Sequence, residues 1–381
     1  MKILYTNFHG GNGGGHDTYI CNLAVGMTGR AHDVTIASPD GSRLSFMVGK
    51  LCNADIVPMQ FRPKLRRILR EILMLRSLIN EKRFDVVHVN GSADHRLVML
   101  ATLCMRRRPA IVFTKHNTYS ANSFGNYLRA KLATDVTIAV SDYVRVMLEK
   151  SSPYEKIIVL KHGVLGYGKK FESAKIRNLR NQYFGDIGAD VIILGSVAGT
   201  APHKGWTDLV DALNRLPEEY RKKFRVILAG DLPTDAQRKF VEHAGMASQI
   251  VFAGRIDCSR DVLEIAHVSF VLSYHESLSY ACREAMWMGC PVIVTNVGGL
   301  PENIFDRLDG WIVRPRDSEE IAGILCEIAD RPEMIKVMGE RAQFKARGEY
   351  CFDKFLDRVE LIYEDAVNCL SLDERASVQS L

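Results

Sequence analysis

Short apolar runs alternate along the chain with longer segments in which apolar residues recur at helical spacing. The runs are rich in valine and isoleucine and are apolar at consecutive positions, which is typical of parallel strands buried on both faces. The stretches between them are long enough for crossover helices. The runs cover residues 2–7, 33–38, 84–89, 110–115, 135–140, 156–160, 191–197, 224–230, 249–254, 268–273, 291–295 and 310–313.

This alternation predicts an α/β protein with two Rossmann-like, doubly wound domains. The length of 381 residues suits two cores of ordinary size. A glycine-rich stretch at residues 162–173 is the best candidate for the linker, so we expect the first domain over 1–165 and the second over 166–350. Ligands bind at the carboxyl ends of the strands in such sheets. Two domains that face each other would therefore enclose a cleft, and every motif described below follows a predicted strand.

The cysteine spacing and the hydropathy of the chain argue against a metal-binding, secreted or membrane-spanning protein. The nine cysteines show no metal-type spacing, which indicates free thiols in a reducing compartment. No apolar stretch approaches the ~20 residues that a membrane-spanning helix needs, and the N-terminus is too short in its apolar part for a signal peptide. We therefore expect a cytoplasmic protein.

Two glutamates flank the start of a predicted helix in the second half of the chain. Glu276 would lie just before this helix and Glu284 within it, with Ser279 as a suitable N-cap. The first-turn N–H groups of Ser279, Tyr280 and Ala281 would then form an anion site. A carboxylate for sugar hydroxyls, amides for a diphosphate and a second carboxylate for a ribose diol would fit a nucleotide sugar. Taken alone, the two glutamates could also be ordinary surface residues of a helix.

The wider stretch, residues 273–302, resembles the signature of retaining GT-B glycosyltransferases of family 4, also called glycosyl transferases group 1. The likeness covers nearly the whole chain and is strongest over 191–317. It implies GT-B architecture and a retaining, hexosyltransferase-type enzyme. The donor would be a nucleotide sugar, with UDP favoured over GDP, and the acceptor a glycan or lipid-linked molecule in lipopolysaccharide or other cell-surface polysaccharide synthesis. The residues that carry the likeness are Glu276, Glu284-Ala285-Met286, Gly289, Pro291-Val292, Thr295, Gly298-Gly299 and Glu302.

The resemblance implies a role for Lys204, which precedes another predicted helix. It matches the family lysine that binds the donor diphosphate, although an exposed lysine near a helix start would look the same. The family also carries a Gly-Arg pair a few residues earlier, whose arginine holds phosphate. Ala198 and Gly199 stand at that position here. Either His203 or Arg255 could replace the missing arginine, or the donor could be held less tightly.

A glycine-rich loop at residues 9–24 follows the first predicted strand. Its glycines would let backbone N–H groups approach an anion. In the family this loop approaches the donor phosphates and the acceptor, which implies a role here for Gly13 and Gly14. A dinucleotide oxidoreductase is the less favoured alternative, because the loop fits G-x-G-x-x-G only loosely and the acidic residue after the second strand, Asp40, comes late.

Two more loops of the first half carry candidate residues. His116 stands just past the fourth predicted strand, where the family has a histidine near the transferring sugar; otherwise it would be a surface polar group. Asn90 and Asp94, in the loop after the third predicted strand, could face the acceptor. The resemblance thus implies that His116, Glu276 and Lys204 form the catalytic centre. The donor-binding residues would be Gly13, Gly14, Gly199, Lys204, Ser279, Tyr280, Ala281 and Glu284.

The resemblance also implies how the reaction proceeds. The leaving diphosphate would take the proton of the acceptor hydroxyl, so the protein would contribute orientation and charge stabilisation rather than a dedicated base. No ligand cluster such as D-x-D follows a strand, so we expect no metal and no cofactor besides the nucleotide-sugar co-substrate. The last helix, at about 351–381, would complete the first domain. A non-transferring GT-B enzyme, such as an epimerase or hydrolase, is the alternative.

Residues 61–83 form a basic, amphipathic segment with eight lysines and arginines against two glutamates. It could be an ordinary helix that covers the first sheet and exposes a basic face, or it could rest on anionic lipid. Nucleic acid is not expected as a partner, because no aromatic residues are interleaved with the charges. The apolar residues at helical spacing are Leu65, Ile68, Leu69, Ile72 and Ile79.

Overall fold

The chain forms two compact units, each built on one parallel sheet. The computed structural model describes residues 1–379 except Asn12, residues 168–170, Ala189 and Asp257. The first unit contains Met1–Gly163 and the C-terminal segment that begins at Phe352, and the second contains Val164–Cys351. The predicted pair of Rossmann-like domains is confirmed. Part of the predicted linker, residues 168–170, lies outside the described residues.

Seven parallel strands form the sheet of the first unit, in the order β3-β2-β1-β4-β5-β6-β7. Tyr5 of the central strand lies opposite Ile36 on one side and His88 on the other. The strands are β1 (Lys2–Thr6), β2 (Asp33–Ser38), β3 (Asp55–Pro58), β4 (Val86–Val89), β5 (Ala110–Lys115), β6 (Val136–Ala139) and β7 (Ile157–Val159). The first six helices are α1 (Gly15–Gly29), α2 (Arg43–Leu51), α3 (Ile68–Lys82), α4 (Ser92–Thr102), α5 (Phe124–Leu132) and α6 (Asp142–Ser151).

Six parallel strands form the sheet of the second unit, in the order β10-β9-β8-β11-β12-β13. One of its cores contains the buried indole rings of Trp206 and Trp311. The strands are β8 (Ile192–Ser196), β9 (Phe224–Ala229), β10 (Ile250–Gly254), β11 (Val268–Val271), β12 (Val292–Thr295) and β13 (Gly310–Val313). The helices are α7 (Ser173–Phe184), α8 (Trp206–Arg215), α9 (Glu218–Arg221), α10 (Asp235–His243), α11 (Arg260–Leu263), α12 (Tyr280–Trp287), α13 (Ser318–Asp330) and α14 (Glu333–Glu349).

The final helix, α15 (Phe352–Gln379), packs on the first unit. The Tyr363 hydroxyl lies 2.6 Å from His88 Nδ1 and 3.2 Å from the hydroxyl of Tyr5, so the helix is bonded to two strands of the sheet. A Cβ atom on Gly26 of α1 would lie 2.6 Å from the Leu356 side chain. Glycine at this position therefore allows α1 and α15 to approach closely.

The basic segment folds as a short 3₁₀ turn, Leu65–Arg67, followed by α3. The buried face of α3 carries Glu71, Leu75 and Ile79, at intervals of four residues. Leu69 was expected on the apolar face, but it is 72% exposed. That expectation was wrong because the helix buries Glu71 instead, whose Oε2 accepts the backbone N–H of Gln60 at 3.3 Å.

Candidate active site

The strongest pairing of predicted site residues lies in the second unit. Lys204 ends a short 3₁₀ turn after β8, and Glu276 lies in the loop after β11. Lys204 Nζ donates to Glu276 Oε2 at 3.0 Å, and both side chains are largely but not fully buried. The ammonium group therefore stands at the carboxyl end of the sheet with one carboxylate beside it, where a diphosphate could compete for its charge.

Gly205 allows the Lys204 turn to approach the sheet. Its φ angle is +65°, and a Cβ atom there would lie 2.0 Å from the carbonyl oxygen of Leu272. Only glycine avoids both the strained dihedral and this clash. The Lys-Gly order is therefore a steric requirement for bringing Lys204 close to the loop that carries Glu276.

The N-terminus of α12 is capped as the sequence predicted. Ser279 is the N-cap residue, and its hydroxyl accepts the backbone N–H of Cys282 at 3.3 Å. Its φ angle of +87° lies in the left-handed region, which costs a non-glycine residue free energy. The next amides, those of Tyr280 and Ala281, belong to the first turn, where a helix has no carbonyl partner of its own. This end of α12 could therefore bind an anion.

Glu284 lies one turn into α12 and is hydrogen-bonded to two hydroxyl groups that the sequence did not point to. Its partners are Ser259 and Tyr167, whose hydroxyl oxygens are 2.5 Å apart. Burial raises the pKa of the Glu284 carboxyl, and the two hydrogen bonds lower it in part. A carboxylate held in this way could accept hydrogen bonds from a ribose diol.

The position of the missing family arginine contains no basic group. Gly199 has a φ of +96° and no atom within 4 Å of a Cβ placed there. His203 is exposed, and burial and the neighbouring Lys204 lower the pKa of its ring. Arg255 Nε contacts Asp231 Oδ1 at 2.6 Å, with both side chains exposed. Both side chains lie at the surface, and that of Arg255 is paired with a carboxylate.

The glycine-rich loop of the first unit is held by a carboxylate. Asp17 Oδ2 accepts the N–H of Gly13 at 2.8 Å, and Asn7 donates to Oδ1 at 3.1 Å. A Cβ atom on Gly13 would lie 2.2 Å from Asp17 Oδ1, so the close approach requires glycine. Gly14, with φ +56°, precedes α1. The N–H of Gly13 is therefore bonded to Asp17 rather than free for a phosphate.

His116 lies in a cluster of imidazole rings after β5. Its Nε2 lies 3.0 Å from Asn90 Oδ1, and Nε2 of His16 lies 2.7 Å from the Asn90 carbonyl oxygen. The two rings are 4.7 Å apart, edge to face. Burial lowers the pKa of His16 to about 4 and that of His116 well below 6.5. Both rings are therefore neutral at pH 7, and Asn90 holds a proton on Nε2 of each.

Asn90 and Asp94 are buried beneath these rings. The side-chain amide of Asn90 donates to the carbonyl oxygens of Thr6 and His88, and the backbone N–H of Asn90 donates to Asp94 Oδ2 at 2.8 Å. Burial raises the pKa of Asp94 to about 6. Both side chains bond inward, which favours a supporting role for the histidines. Their predicted contact with an acceptor stays a prediction.

Two family models together match most of this chain. Glycosyltransferase Family 4 matches residues 13–164, and Glycosyl transferases group 1 matches residues 183–345. The chain belongs to the GT-B glycosyltransferases of family 4/group 1. The predicted family is thereby confirmed.

The glycosyltransferase resembles proteins with several described roles. It is 25% identical to N-acetyl-alpha-D-glucosaminyl L-malate synthase of Bacillus anthracis, over 75% of this chain and 76% of that protein. Anabaena HepE in complex with UDP and glucose matches with a TM-score of 0.82 at 19% identity, over 96% of this chain and 99% of HepE. WaaG, a glycosyltransferase involved in lipopolysaccharide biosynthesis, matches with a TM-score of 0.73 at 15% identity, over 95% and 99%.

Two further observations concern the described part of the glycosyltransferase. Within it, no group of three or more histidine, cysteine, aspartate or glutamate side chains could hold a metal ion. No helix there has the length and apolar character needed to cross a membrane.

Proposed function

We propose that this glycosyltransferase is a retaining enzyme that transfers a sugar from a nucleotide sugar, with UDP preferred to GDP, to a glycan or lipid-linked acceptor. One observation carries the donor assignment. The Lys204–Glu276 ion pair, the capped N-terminus of α12 and Glu284 follow the carboxyl ends of neighbouring strands in one sheet. Cation, amides and carboxylate are the groups that a diphosphate and a ribose require.

The proposal assigns roles to Lys204, Glu276, Glu284, His116 and the first turn of α12. Lys204 and the first turn of α12 bind the diphosphate, and Glu284 binds the ribose diol. Glu276 binds hydroxyl groups of the transferring sugar, and the neutral ring of His116 helps to hold the same sugar. The departing diphosphate accepts the proton of the acceptor hydroxyl, so the protein stabilises charge that develops on the leaving group.

A panel of nucleotide sugars tests the donor, and the released nucleotide identifies its base. Mass spectrometry and NMR of the product then report the acceptor, the linkage and the anomeric configuration. An α-linked product from an α-linked donor would support retention, whereas an inverted anomer would refute it. A released or epimerised sugar with no acceptor product would favour the alternative, a non-transferring GT-B epimerase or hydrolase.

We propose cell-surface polysaccharide synthesis, of the lipopolysaccharide type, as the setting of the reaction, on the cytoplasmic side of the membrane. The likeness to WaaG supports this setting. The likeness to N-acetyl-alpha-D-glucosaminyl L-malate synthase supports a small soluble acceptor instead. Transfer to purified lipid-linked glycan but not to L-malate would favour the first.

We propose that transfer needs no metal ion, because Lys204 and the amides of α12 would supply the positive charge that a metal supplies elsewhere. The test is turnover in the presence of excess EDTA. Full activity is expected. Loss of activity that Mg²⁺ or Mn²⁺ restores would contradict the proposal.

We propose further that the basic segment 61–83 docks on anionic lipid. Leu69 and Leu73, one turn apart on α3, are 72% and 64% exposed beside the exposed Arg66 and Arg70. Exposed leucines flanked by arginines fit a lipid surface better than water. Each basic residue near such a surface is worth about 1 kcal/mol.

The test reverses Arg66, Arg67 and Arg70 to Glu and measures binding to phosphatidylglycerol vesicles at low and high salt. Binding should fall steeply, while turnover on a short soluble acceptor stays unchanged. Reversal of the exposed Lys336, Arg341 and Arg347 of α14 is the matched control. Equal vesicle binding by the two folded variants would refute docking through 61–83.

A further inference from the structure

An uncharged loop follows His116 directly, and the proposed function has not accounted for it. Residues 117–127, N-T-Y-S-A-N-S-F-G-N-Y, include no acidic or basic side chain. Tyr119 is 77% exposed, Phe124 is 76% exposed and Tyr127 is 51% exposed. Three large exposed rings within eleven residues are a concentration of apolar area that often marks a binding site.

The backbone of this loop is fixed from below. Lys115 Nζ donates to Asn117 Oδ1 and to the carbonyl oxygen of Tyr119, each at 2.7 Å. The N–H of Tyr119 in turn donates to Asn117 Oδ1 at 3.2 Å, and Ala121 is buried. The backbone at Tyr119 is therefore fixed before any ligand arrives, which reduces the backbone entropy lost on binding.

The second part of the loop is fixed in the same way. Ser123 caps α5, accepting the backbone N–H of Asn126 at 3.3 Å. Asn126 Oδ1 accepts from the buried Arg129 and from the hydroxyl of Tyr154. Phe124 and Tyr127 stand three residues apart at the start of α5, so their rings occupy one face of the helix.

The chemistry of the loop selects the class of ligand. A phosphate or an anionic lipid would require cations, and the loop has none. Tyrosine, serine and asparagine together form adaptable, neutral binding surfaces. The face of an aromatic ring is negative, so it attracts the C–H bonds of a pyranose, while amides and hydroxyls bond to the sugar hydroxyl groups. A neutral carbohydrate fits this combination best.

The loop also lies close to the reacting end of the first unit. Asn117 follows His116 in the chain, and Tyr119 is three residues after His116, so the Cα atoms of His116 and Tyr119 are at most ~11 Å apart. We propose that Tyr119, Phe124 and Tyr127 form a stacking platform for a neutral sugar ring of the acceptor glycan. This inference rests on the proposed function, because it names the class of acceptor that the enzyme extends.

A glycan microarray tests the platform without requiring turnover. Wild-type protein should bind neutral glycans in preference to sialylated or phosphorylated ones. The double variant Tyr119→Ala/Phe124→Ala should bind them roughly ten- to a hundredfold more weakly, since each lost ring contact costs up to about a factor of ten. The variant Tyr119→Phe/Phe124→Tyr keeps both rings and should bind like the wild type.

The matched control is Phe344→Ala, which removes an 85% exposed ring from the second unit and should leave glycan binding unchanged. Equal binding by the double variant and the wild type, or binding to acidic glycans alone, would overturn the platform. Loss of phosphatidylglycerol vesicle binding with glycan binding intact would assign the rings to lipid and also overturn it.

Hydrolysis of UDP-glucose and other nucleotide sugars without acceptor separates this inference from the proposed function. The double variant should hydrolyse the donor at the wild-type rate. A wild type that binds neutral glycans through these rings but neither binds nor hydrolyses any nucleotide sugar would refute the proposed function and leave the platform standing.

Discussion

The carboxyl ends of the two sheets carry different chemistry. In the second unit the candidate groups are charged: Lys204 is paired with Glu276, and Glu284 is bonded to two hydroxyl groups. In the first unit the imidazole rings are neutral, because burial lowers the pKa of His16 and His116, and the Asp94 carboxyl is buried beneath them. The uncharged loop 117–127 extends the neutral surface.

This difference indicates how two similar sheets could divide one reaction. A diphosphate demands positive charge, which is worth most where water is largely excluded. Sugar hydroxyl groups need neutral donors and acceptors at fixed positions. Asn90 accepts the Nε2 proton of both imidazoles, so Nδ1 of each neutral ring is an acceptor rather than a donor. A comparable fold can thus present charged or neutral groups according to the side chains that follow its strands.

Removal of Lys204 should produce the largest effect. Lys204→Ala should lower kcat roughly 100- to 1,000-fold, because an electrostatic contact to the leaving group acts mainly in the transition state. Steady-state kinetics with the identified donor checks this. Lys222→Ala, in the exposed pair with Glu218, is the control and should have wild-type kcat. Unchanged turnover in Lys204→Ala would show that the charge of Lys204 does not contribute to the reaction.

Neutralising Glu284 should have the next largest effect. Glu284→Gln should weaken the binding of UDP by roughly 1.5–3 kcal/mol, the contribution of a hydrogen bond to a charged group. Calorimetry measures the affinity directly. His116→Ala should leave UDP affinity unchanged, since its neutral ring is assigned to the sugar. If both variants lost affinity equally, the division of roles would be wrong.

Lowering the pH should destabilise the first unit more than the second. Four buried histidines of the first unit, His16, His88, His95 and His116, have lowered pKa values. An unfolded histidine takes up a proton near pH 6.5, whereas these folded histidines do so only at lower pH. Below pH 6.5 the free energy of unfolding therefore falls by up to about 1.4 kcal/mol per pH unit for each histidine. In the second unit, burial lowers the pKa of His267 to about 4.

Carboxyl groups act in the opposite direction. Asp94, with a pKa raised to about 6, offsets part of the loss in the first unit between pH 6 and 4. Raised pKa values for Asp208, Glu284 and Asp309 favour the second unit in the same way as pH falls. Hydrogen exchange at pH 7 and 5, corrected for intrinsic rates, should show the first unit losing protection first. The reverse order would contradict the pKa assignments.

Loss of the Tyr167 hydroxyl should have the smallest effect. Tyr167→Phe should weaken UDP binding by about 0.5–1.5 kcal/mol, as expected for one hydrogen bond. Because that bond lowers the pKa of Glu284, its loss should also move the acidic limb of UDP binding to higher pH. A plain structural defect would lower affinity equally at all pH values, and that result would separate Tyr167 from Glu284.

Much of the fold could be predicted from the sequence, because buried parallel strands are apolar on both faces. All twelve predicted runs contain a strand. The strand that was missed, β3, is an edge strand of four residues with partly exposed side chains and a terminal proline. It therefore lacks the continuous apolar pattern. The exposure of Leu69 was missed for a related reason, since periodicity alone does not say which face of α3 the sheet covers.

The candidate site was predictable only in part. Lys204, Glu276 and Glu284 stand in local motifs, but the contact between Lys204 and Glu276 joins residues 72 positions apart. Tyr167 and Ser259 carry no local signal, because their relevance arises from packing against Glu284. Asp17 carries a weak local signal. A carboxylate four residues after Gly13 can accept the N–H of Gly13 when a helix starts between the two residues.

The return of α15 to the first unit has a consequence for biosynthesis. Tyr363 bonds to Tyr5 and to His88, so α15 contacts strands that are synthesised 358 and 275 residues earlier. A ribosome that has finished β7 has not yet made the helix that covers this sheet. Deletion of the segment from Phe352 onward should therefore leave the first seven strands sensitive to protease, and wild-type resistance in that truncation would show that the sheet is stable without α15.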